Sequence, residues 1–327
     1  MLLSFYVGVI IMEYRILGQS GLKVSRLCFG ALTIGPMQSN LPIEEGAGVI
    51  AKAIELGVNF IDTSKLYNTY PYIRRAMEIT NNKDIIISTK SYDYTYEGMR
   101  ETVEEALKAL NVESIGIFSL HEQESVYTLK GHGEALRYLY DAKKAGKIRA
   151  VGVSTHNISV VEAVSKMPKI DVVLPIVNYK GIGIGDGTIE DMLKAVHNAK
   201  LSGKGIYSMK AIGGGNLLGD VKRSFDFVLN NEDIDSIAVG MQSENEVMAN
   251  VLMFEGKEVP EDIDSKLRKT KRRLLIDTWC LGCGKCVERC TIKALKIVDG
   301  RCVVDTDKCR LCGYCSSVCP EFCIKVI

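Results

Sequence analysis

The chain has 327 residues, with 41 lysines and arginines against 40 aspartates and glutamates, a net charge of +1. Near-neutrality excludes nucleic-acid or membrane-surface binding driven by overall charge, and the length predicts one large domain with a small one beside it. Ten of the eleven cysteines fall after residue 279. Disulfide stapling of a whole secreted chain does not produce that bias, so the composition points to a reducing, cytoplasmic compartment and to small-molecule or protein redox partners.

Residues 1–11 are apolar, but they carry no lysine or arginine, lack a small-residue cleavage site and are too short to span a bilayer. Met12 opens a sequence that reads as a natural start, so 1–11 are expected to be an upstream extension, with a membrane-interacting tail as the weaker alternative. Residues 14–17 and 23–25 flank Gly18-Gln-Ser-Gly21, a turn signal that predicts a hairpin plugging the bottom of the following domain.

From residue 27 to about 255, short β-rich apolar runs alternate with longer helical patterns, which signals βα units on a parallel sheet. The predicted strands are 27–32, 59–63, 85–89, 116–120, 150–154, 172–177, 205–209 and 237–240. Helical patterns cover 43–56, 96–110 and 133–145, and Thr188-x-x-Asp191 offers a capping box for another. This order predicts an α/β fold, a (β/α)8 TIM barrel over residues 12–255. A doubly wound sheet would want Gly-x-Gly-x-x-Gly after a first strand, and none is there. Gly181-Ile-Gly-Ile-Gly-Asp-Gly187 follows the sixth strand and reads as a mobile loop at the barrel mouth, or a plain connection. Residues 256–276 are charged, contain Pro260 and carry six basic residues within 266–273. They read as a solvated linker or, more sharply, as a dock for an acidic electron-transfer protein.

Residues 277–327 hold one cysteine spacing twice: Cys280, Cys283, Cys286 and Cys290, then Cys309, Cys312, Cys315 and Cys319, followed by Pro320. This doubled Cys-x2-Cys-x2-Cys-x3-Cys run resembles the two-cluster bacterial ferredoxins, in which three cysteines of a run hold one cluster and the fourth crosses to the other. The resemblance implies a small C-terminal α+β ferredoxin-like domain with two [4Fe–4S] clusters. Cys280, Cys283, Cys286 and Cys319 would bind one, and Cys290, Cys309, Cys312 and Cys315 the other. A zinc ribbon is the competing reading. Thr291 stands where the first repeat often carries proline. Cys28 is expected to be an inert buried thiol of the first barrel strand, while Cys302 and Cys323 lack ligand spacing and read as packing.

Asp62 and Tyr67 fall at the end of the second predicted strand, Lys90 at the end of the third and His121 at the end of the fourth. Barrel chemistry sits at C-terminal strand ends. A structural role is the better reading for any one of these residues, but four at neighbouring strand ends point to one site. Together with Tyr14-Arg-Ile-Leu-Gly, Gly21-Leu-Lys-Val-Ser-Arg, Asp-Thr-x3-Tyr, Ser-Thr-Lys and Val151-Gly-Val-Ser154, they make residues 12 to 250 resemble the aldo-keto reductases.

The resemblance implies that Asp62, Tyr67, Lys90 and His121 are the family's catalytic tetrad. A phenol with a pKa near ~10 is a poor acid, and an ammonium beside it favours phenolate and eases proton donation. Lys90 would supply that charge and Asp62 would hold Lys90. His121 would orient the carbonyl while Tyr67 protonates its oxygen as hydride reaches carbon. The resemblance also puts Ser154, Asn178 and the loop from Gly240 to Asn250 against a nicotinamide cofactor. Met209 stands where many members stack a tyrosine on the nicotinamide. Glu246 stands where NADP-preferring members carry arginine. Its carboxylate would repel a 2′-phosphate and accept from a free 2′-hydroxyl, so NAD is expected over NADP. Tyr67-Asn-Thr-Tyr-Pro71 replaces the usual Gly- and Glu-containing stretch, so substrate specificity does not carry over. His132 and His197 read as surface residues, and His156 as lining the mouth or structural.

These readings converge on an iron–sulfur-containing oxidoreductase that reduces a carbonyl, or oxidises an alcohol, with a nicotinamide. A ferredoxin or other redox protein is a further expected partner, with no membrane or nucleic acid. Hydride carries two electrons and a cluster one, so exchange between them needs a flavin or a substrate that tolerates radical steps, and no flavin motif is readable. The alternative is an electron-transfer protein whose clusters feed a reductive step in the barrel without nicotinamide. A third class makes the clusters structural or oxygen-sensing.

Overall fold

The computed structural model describes residues 12–327, and the apolar stretch 1–11 lies outside the described residues. Strands β1 (Tyr14–Ile16) and β2 (Lys23–Ser25) pair antiparallel across a short 3-10 turn. Gly18 in that turn has φ 48, and a Cβ on it would lie 2.1 Å from the Gly205 nitrogen, so only glycine lets the turn reach the floor of the next unit. Leu17, Leu22 and Val24 are fully buried in a cluster with Phe60, Ile117 and Val172. The hairpin plugs the barrel, as its turn signal predicts.

The barrel strands are β3 (Leu27–Gly30), β4 (Phe60–Asp62), β5 (Ile86–Ser91), β6 (Ile115–Gln123), β7 (Ile148–Thr155), β8 (Val172–Pro175), β9 (Gly205–Met209) and β10 (Ser236–Gly240). All pair in parallel, and β10 pairs with both β9 and β3 to close the ring. The helices between them are α1 (Ile43–Glu55), α2 (Tyr70–Thr80), α3 (Tyr96–Leu110), α4 (Val126–Gly131), α5 (Gly133–Lys144), α6 (Ile158–Ser165), α7 (Ile189–Leu201) and α8 (Val221–Leu229), and α9 (Glu244–Phe254) follows β10. One apolar cluster fills the interior and a second, larger one the space between strands and helices. That is why the strands read as nearly continuous apolar runs. All eight predicted strands are present. The first is shorter than expected because the chain turns into a 3-10 helix at Ala31–Ile34. The capping box Thr188–Asp191 opens α7.

The charged segment 256–276 is folded. It contains α10 (Glu261–Lys269), with acids in the first turn and bases in the last, the arrangement that complements the helix dipole. It then forms β11 (Leu274–Ile276). The remainder holds α11 (Lys285–Arg289), a hairpin of β12 (Leu295–Val298) and β13 (Arg301–Val304), and β14 (Ile324–Val326), which pairs antiparallel with β11. This C-terminal unit lies on the barrel. A Cβ on Gly215 would sit 2.0 Å from the Val326 carbonyl oxygen, and Asn216 Nδ2 donates to Ile324 O at 3.0 Å. The glycine-rich loop 181–187 is pinned beneath it. Asn178 bonds Ile182 through both amide atoms, and Asp186 accepts from the Ile158 and Ser159 amides. Among the described residues no helix is long and apolar enough to cross a membrane.

Candidate functional site

Asp62 ends β4 opposite Ser88 of β5, and Lys90 follows two residues later on the same pleat face. Lys90 Nζ is 2.8 Å from both Asp62 carboxylate oxygens and donates to Thr63 O at 2.6 Å. Both side chains are buried. Asp62 also accepts from Tyr207 OH at 2.9 Å, and that hydroxyl lies 2.8 Å from Ser88 Oγ. The buried pair is therefore fully bonded, the condition under which such a pair is tolerated.

Tyr67 arrives on the 3-10 turn Lys65–Tyr67, whose N-cap Ser64 accepts from the Leu66 amide. The phenol oxygen lies 3.3 Å from His121 Nε2 on β6, and Lys90 Nζ is 5.1 Å from the Tyr67 ring centroid. Ser64 Oγ is 3.1 Å from His121 Nδ1 and 3.1 Å from Lys90 O. A hydroxyl has one proton to give. Donation to the carbonyl leaves the proton on Nδ1 and makes Nε2 an acceptor for Tyr67, whereas donation to Nδ1 puts the proton on Nε2. Tyr92 stacks on the imidazole at 4.4 Å, with its own hydroxyl 2.7 Å from Glu122.

The structure brings Asp62, Tyr67, Lys90 and His121 together as the strand ends predict. Their electrostatics differ from the expectation. The Tyr67 phenol is held well above its ordinary pKa, first by burial and then by Asp62, Glu122 and Tyr92. Asp62 takes up the charge of Lys90, so the phenol stays protonated instead of being drawn toward phenolate. His121 is held well below the usual imidazole range by burial, Lys90 and Lys210, and is neutral at pH 7.

A cavity of about 460 Å³ runs from Asp62, Tyr67 and Lys90 to Gly240, Glu246 and Asn250, with Met209 along it. Ser154 and Asn178 do not line it. Ser154 Oγ accepts from the Glu122 amide at 2.7 Å, and Asn178 is turned to Ile182. Glu246 is not free, because Oε2 accepts from the Gln242 amide at 2.7 Å and Oε1 pairs with Arg272 at 2.6 Å. The repulsion expected of an isolated carboxylate is thus largely neutralised by a residue beyond the barrel. Part of the lining comes from the C-terminal unit, through Lys325, Val326 and Ile327. The roles of Ser64, Tyr207 and Arg272 rest on contacts between distant positions that no local pattern signals. Lys210, directly after the seventh barrel strand, was visible to the strand-end rule.

The repeated cysteines gather around two smaller cavities. One is lined by Cys280, Cys283, Cys286 and Cys319, with Cys302 and Cys323 beside them. The other is lined by Cys290, Cys309, Cys312 and Cys315. All cysteines are free thiols. The backbone amide of Cys302 points to Cys280 Sγ at 3.4 Å, and that of Ala294 to Cys290 Sγ at 3.3 Å. Cys302 lies 3.4 Å from Cys286, and Cys323 lies 3.4 Å from Cys319. Among the described residues no group of three or more His, Cys, Asp or Glu side chains is arranged to hold a metal ion. Cys28 is buried in the barrel, His197 is exposed and His156 pairs with Glu122 at 3.2 Å.

Comparison with known proteins agrees with this geometry. The L-galactose dehydrogenase of Arabidopsis thaliana is 25% identical over 284 residues, covering 73% of this chain and 87% of that protein. The methylglyoxal reductase DkgA of Escherichia coli K12 is 23% identical over 177 residues, 52% of this chain and 64% of that protein. The structure of aldo-keto reductase AKR11C1 from Bacillus halodurans in its holo form superposes with a TM-score of 0.60 at 20% identity, covering 79% of this chain and 96% of that one. The model of the Aldo/keto reductase family matches residues 26–265. The chain belongs to the aldo/keto reductase family and is an oxidoreductase.

Proposed function

We propose that the barrel reduces the carbonyl of a small molecule, or oxidises the corresponding alcohol, with a nicotinamide cofactor. The observation that carries this reading is one cavity joining Tyr67 and Lys90 to Gly240, Glu246 and Asn250. A reduced nicotinamide, when bound, supplies hydride to the carbonyl carbon. Tyr67, protonated at neutral pH, gives its proton to the carbonyl oxygen. Lys90, fixed by Asp62, stabilises the phenolate left behind. Neutral His121 orients the carbonyl oxygen beside Tyr67, and its tautomer is tied to the direction in which the single Ser64 hydroxyl proton is donated. Stopped-flow measurement of NADH and NADPH oxidation with a panel of aldehydes and ketones tests the reading. Oxidation of neither cofactor with any of them would remove it.

The grouping of the cysteines supports iron–sulfur clusters over a single bound ion. A single ion needs every ligand within ~2.3 Å of one point, whereas a [4Fe–4S] cluster takes four thiolates around a wider body. Four cysteines on each cavity, one crossing over from the other run, support Cys280, Cys283, Cys286 and Cys319 as one ligand set. Cys290, Cys309, Cys312 and Cys315 form the second set. Such clusters supply one-electron transfer.

One observation favours a second reading, in which the clusters feed the barrel directly. Phe322, between Cys319 and Cys323, is buried in the barrel core, with its ring 5.8 Å from that of His156. Anaerobic titration separates the two: cluster bleaching by NADH joins both halves, and bleaching by a low-potential reductant alone favours the second.

A further inference from the structure

Lys210 follows β9 with φ 63, a left-handed conformation that a lysine adopts only where its surroundings hold it. Its Nζ lies 4.4 Å from the centroid of the Phe322 ring, and Lys325 Nζ lies 3.6 Å from the same centroid. Both lysines line the cavity that holds Asp62, Tyr67 and Lys90. Every other charge at this end has a polar partner. Lys90 is bound to Asp62. Lys325 donates to Phe322 O and lies 3.6 Å from Asp277. Glu122 holds the Tyr92 hydroxyl and His156.

Among the described residues, Lys210 has only the ring face. Burial depresses its pKa, opposed by Glu122 and Asp277, neither of which reaches ion-pairing distance. A half-buried ammonium beside a cavity, with no counter-ion, is best satisfied by an anion entering that cavity.

On the footing of the carbonyl-reduction reading above, we propose that Lys210, backed by Lys325, is an oxyanion-binding subsite, and that the substrate is a carbonyl compound that also carries a carboxylate. The anion belongs to the substrate and not to the diphosphate of a dinucleotide, because Lys210 acts at the reacting end. Its ammonium lies 4.4 Å from the Phe322 ring, and that ring is 5.8 Å from His156, which pairs with Glu122 beside His121. Lys325 comes from β14, so the C-terminal unit completes the pocket.

Benzaldehyde and 4-carboxybenzaldehyde share ring and carbonyl and differ by the carboxylate. With the full-length protein, kcat/KM is expected to favour the acid. Lys210→Met is expected to lower the acid-to-neutral ratio by roughly 10- to 100-fold, the loss of one charge-assisted hydrogen bond, and to act mainly through KM. Lys210→Arg should keep most of the preference. A wild-type ratio near one, or a ratio unchanged in Lys210→Met, overturns the proposal. So does a Lys210→Met variant that instead weakens binding of NADH and inorganic pyrophosphate, since the lysine would then serve the cofactor.

If the wild type turns over neither aldehyde, the carbonyl-reduction reading fails by itself and calorimetry decides on the subsite. Tighter, Lys210-dependent binding of 4-carboxybenzyl alcohol than of benzyl alcohol supports it, and equal binding of the two overturns it. Matching melting curves of the variants exclude a folding defect.

Discussion

Arg272 and Glu246, 26 positions apart, form a 2.6 Å ion pair beside the cavity end that faces Gly240 and Asn250. Glu246 alone would push a 2′-phosphate away. Arg272, carried by the segment after α10, neutralises that carboxylate and brings a guanidinium suited to phosphate. On the proposed nicotinamide reading, cofactor choice would therefore be shared between the barrel and the segment beyond it.

NADH is still expected to bind better than NADPH, by a smaller margin than an unpaired Glu246 would impose. Arg272→Ala should move the ratio of dissociation constants further toward NADH by roughly fivefold, about 1 kcal/mol for a partly screened charge. Glu246→Gln should move it the other way. Calorimetric titration with both cofactors checks this, and ratios that stay put in both variants would place the selectivity elsewhere.

Tyr67→Phe is expected to abolish carbonyl reduction while leaving the cofactor dissociation constant within about twofold, because only the proton donor is lost. Lys90→Met should be comparably severe and also destabilising, since Asp62 would be left buried with Tyr207 as its remaining side-chain donor. Ser64→Ala should lower kcat more than it raises KM, through the lost tautomer control of His121. Turnover retained in Tyr67→Phe would move the chemistry away from this site.

Anaerobically prepared protein is expected to carry iron and sulfide for two cubanes, about eight irons per chain. Cys319→Ser should damage the cluster of the first run, while Cys302→Ser and Cys323→Ser, whose thiols only flank Cys286 and Cys319, should keep their iron. Elemental analysis together with EPR of the reduced protein reads this out. Zinc in place of iron would refute the assignment.

Acid should unfold the protein through two histidines. His121 and His156 are both held well below the usual imidazole range, by burial and by neighbouring lysines. The unfolded chain takes up protons near pH ~6.5 while the folded one does not. Stability is therefore full above that pH and falls below it, at up to about 1.4 kcal/mol per pH unit for each histidine. Melting temperatures between pH 7.5 and 5 should drop steeply for the native protein and less steeply for a His121→Gln, His156→Gln double variant. Parallel curves would assign the acid sensitivity to other groups.

Gly215→Val should loosen the C-terminal unit from the barrel. The residue has φ 84, and its Cβ would fall 2.0 Å from the Val326 carbonyl oxygen, so both backbone strain and a backbone clash oppose the substitution. Faster proteolytic release of a C-terminal fragment is the expected result. An unchanged cleavage rate would show that the contact does not hold the two parts together.

Strand order, the bottom hairpin, the α7 capping box and the four strand-end residues were legible in the chain because each rests on a local pattern: apolar runs, turn glycines and the positions where strands end. The crossing of the two cysteine runs was an expectation from the ferredoxin resemblance, and the folded chain gathers the same two sets of four around separate cavities. Tertiary structure alone decided what lies around these residues. Tyr207 reaches Asp62 across 145 positions, and Arg272 meets Glu246 only because α10 and β11 fold the charged segment back over the barrel. Ser154 and Asn178 have the expected identities, yet their polar atoms are taken by Glu122 and Ile182. The sign of the Tyr67 shift also lay beyond the sequence. Lys90 announces itself two residues after Ser88, but burial and the bidentate Asp62 decide how much of its charge the phenol feels, and both depend on distances that only the folded chain defines.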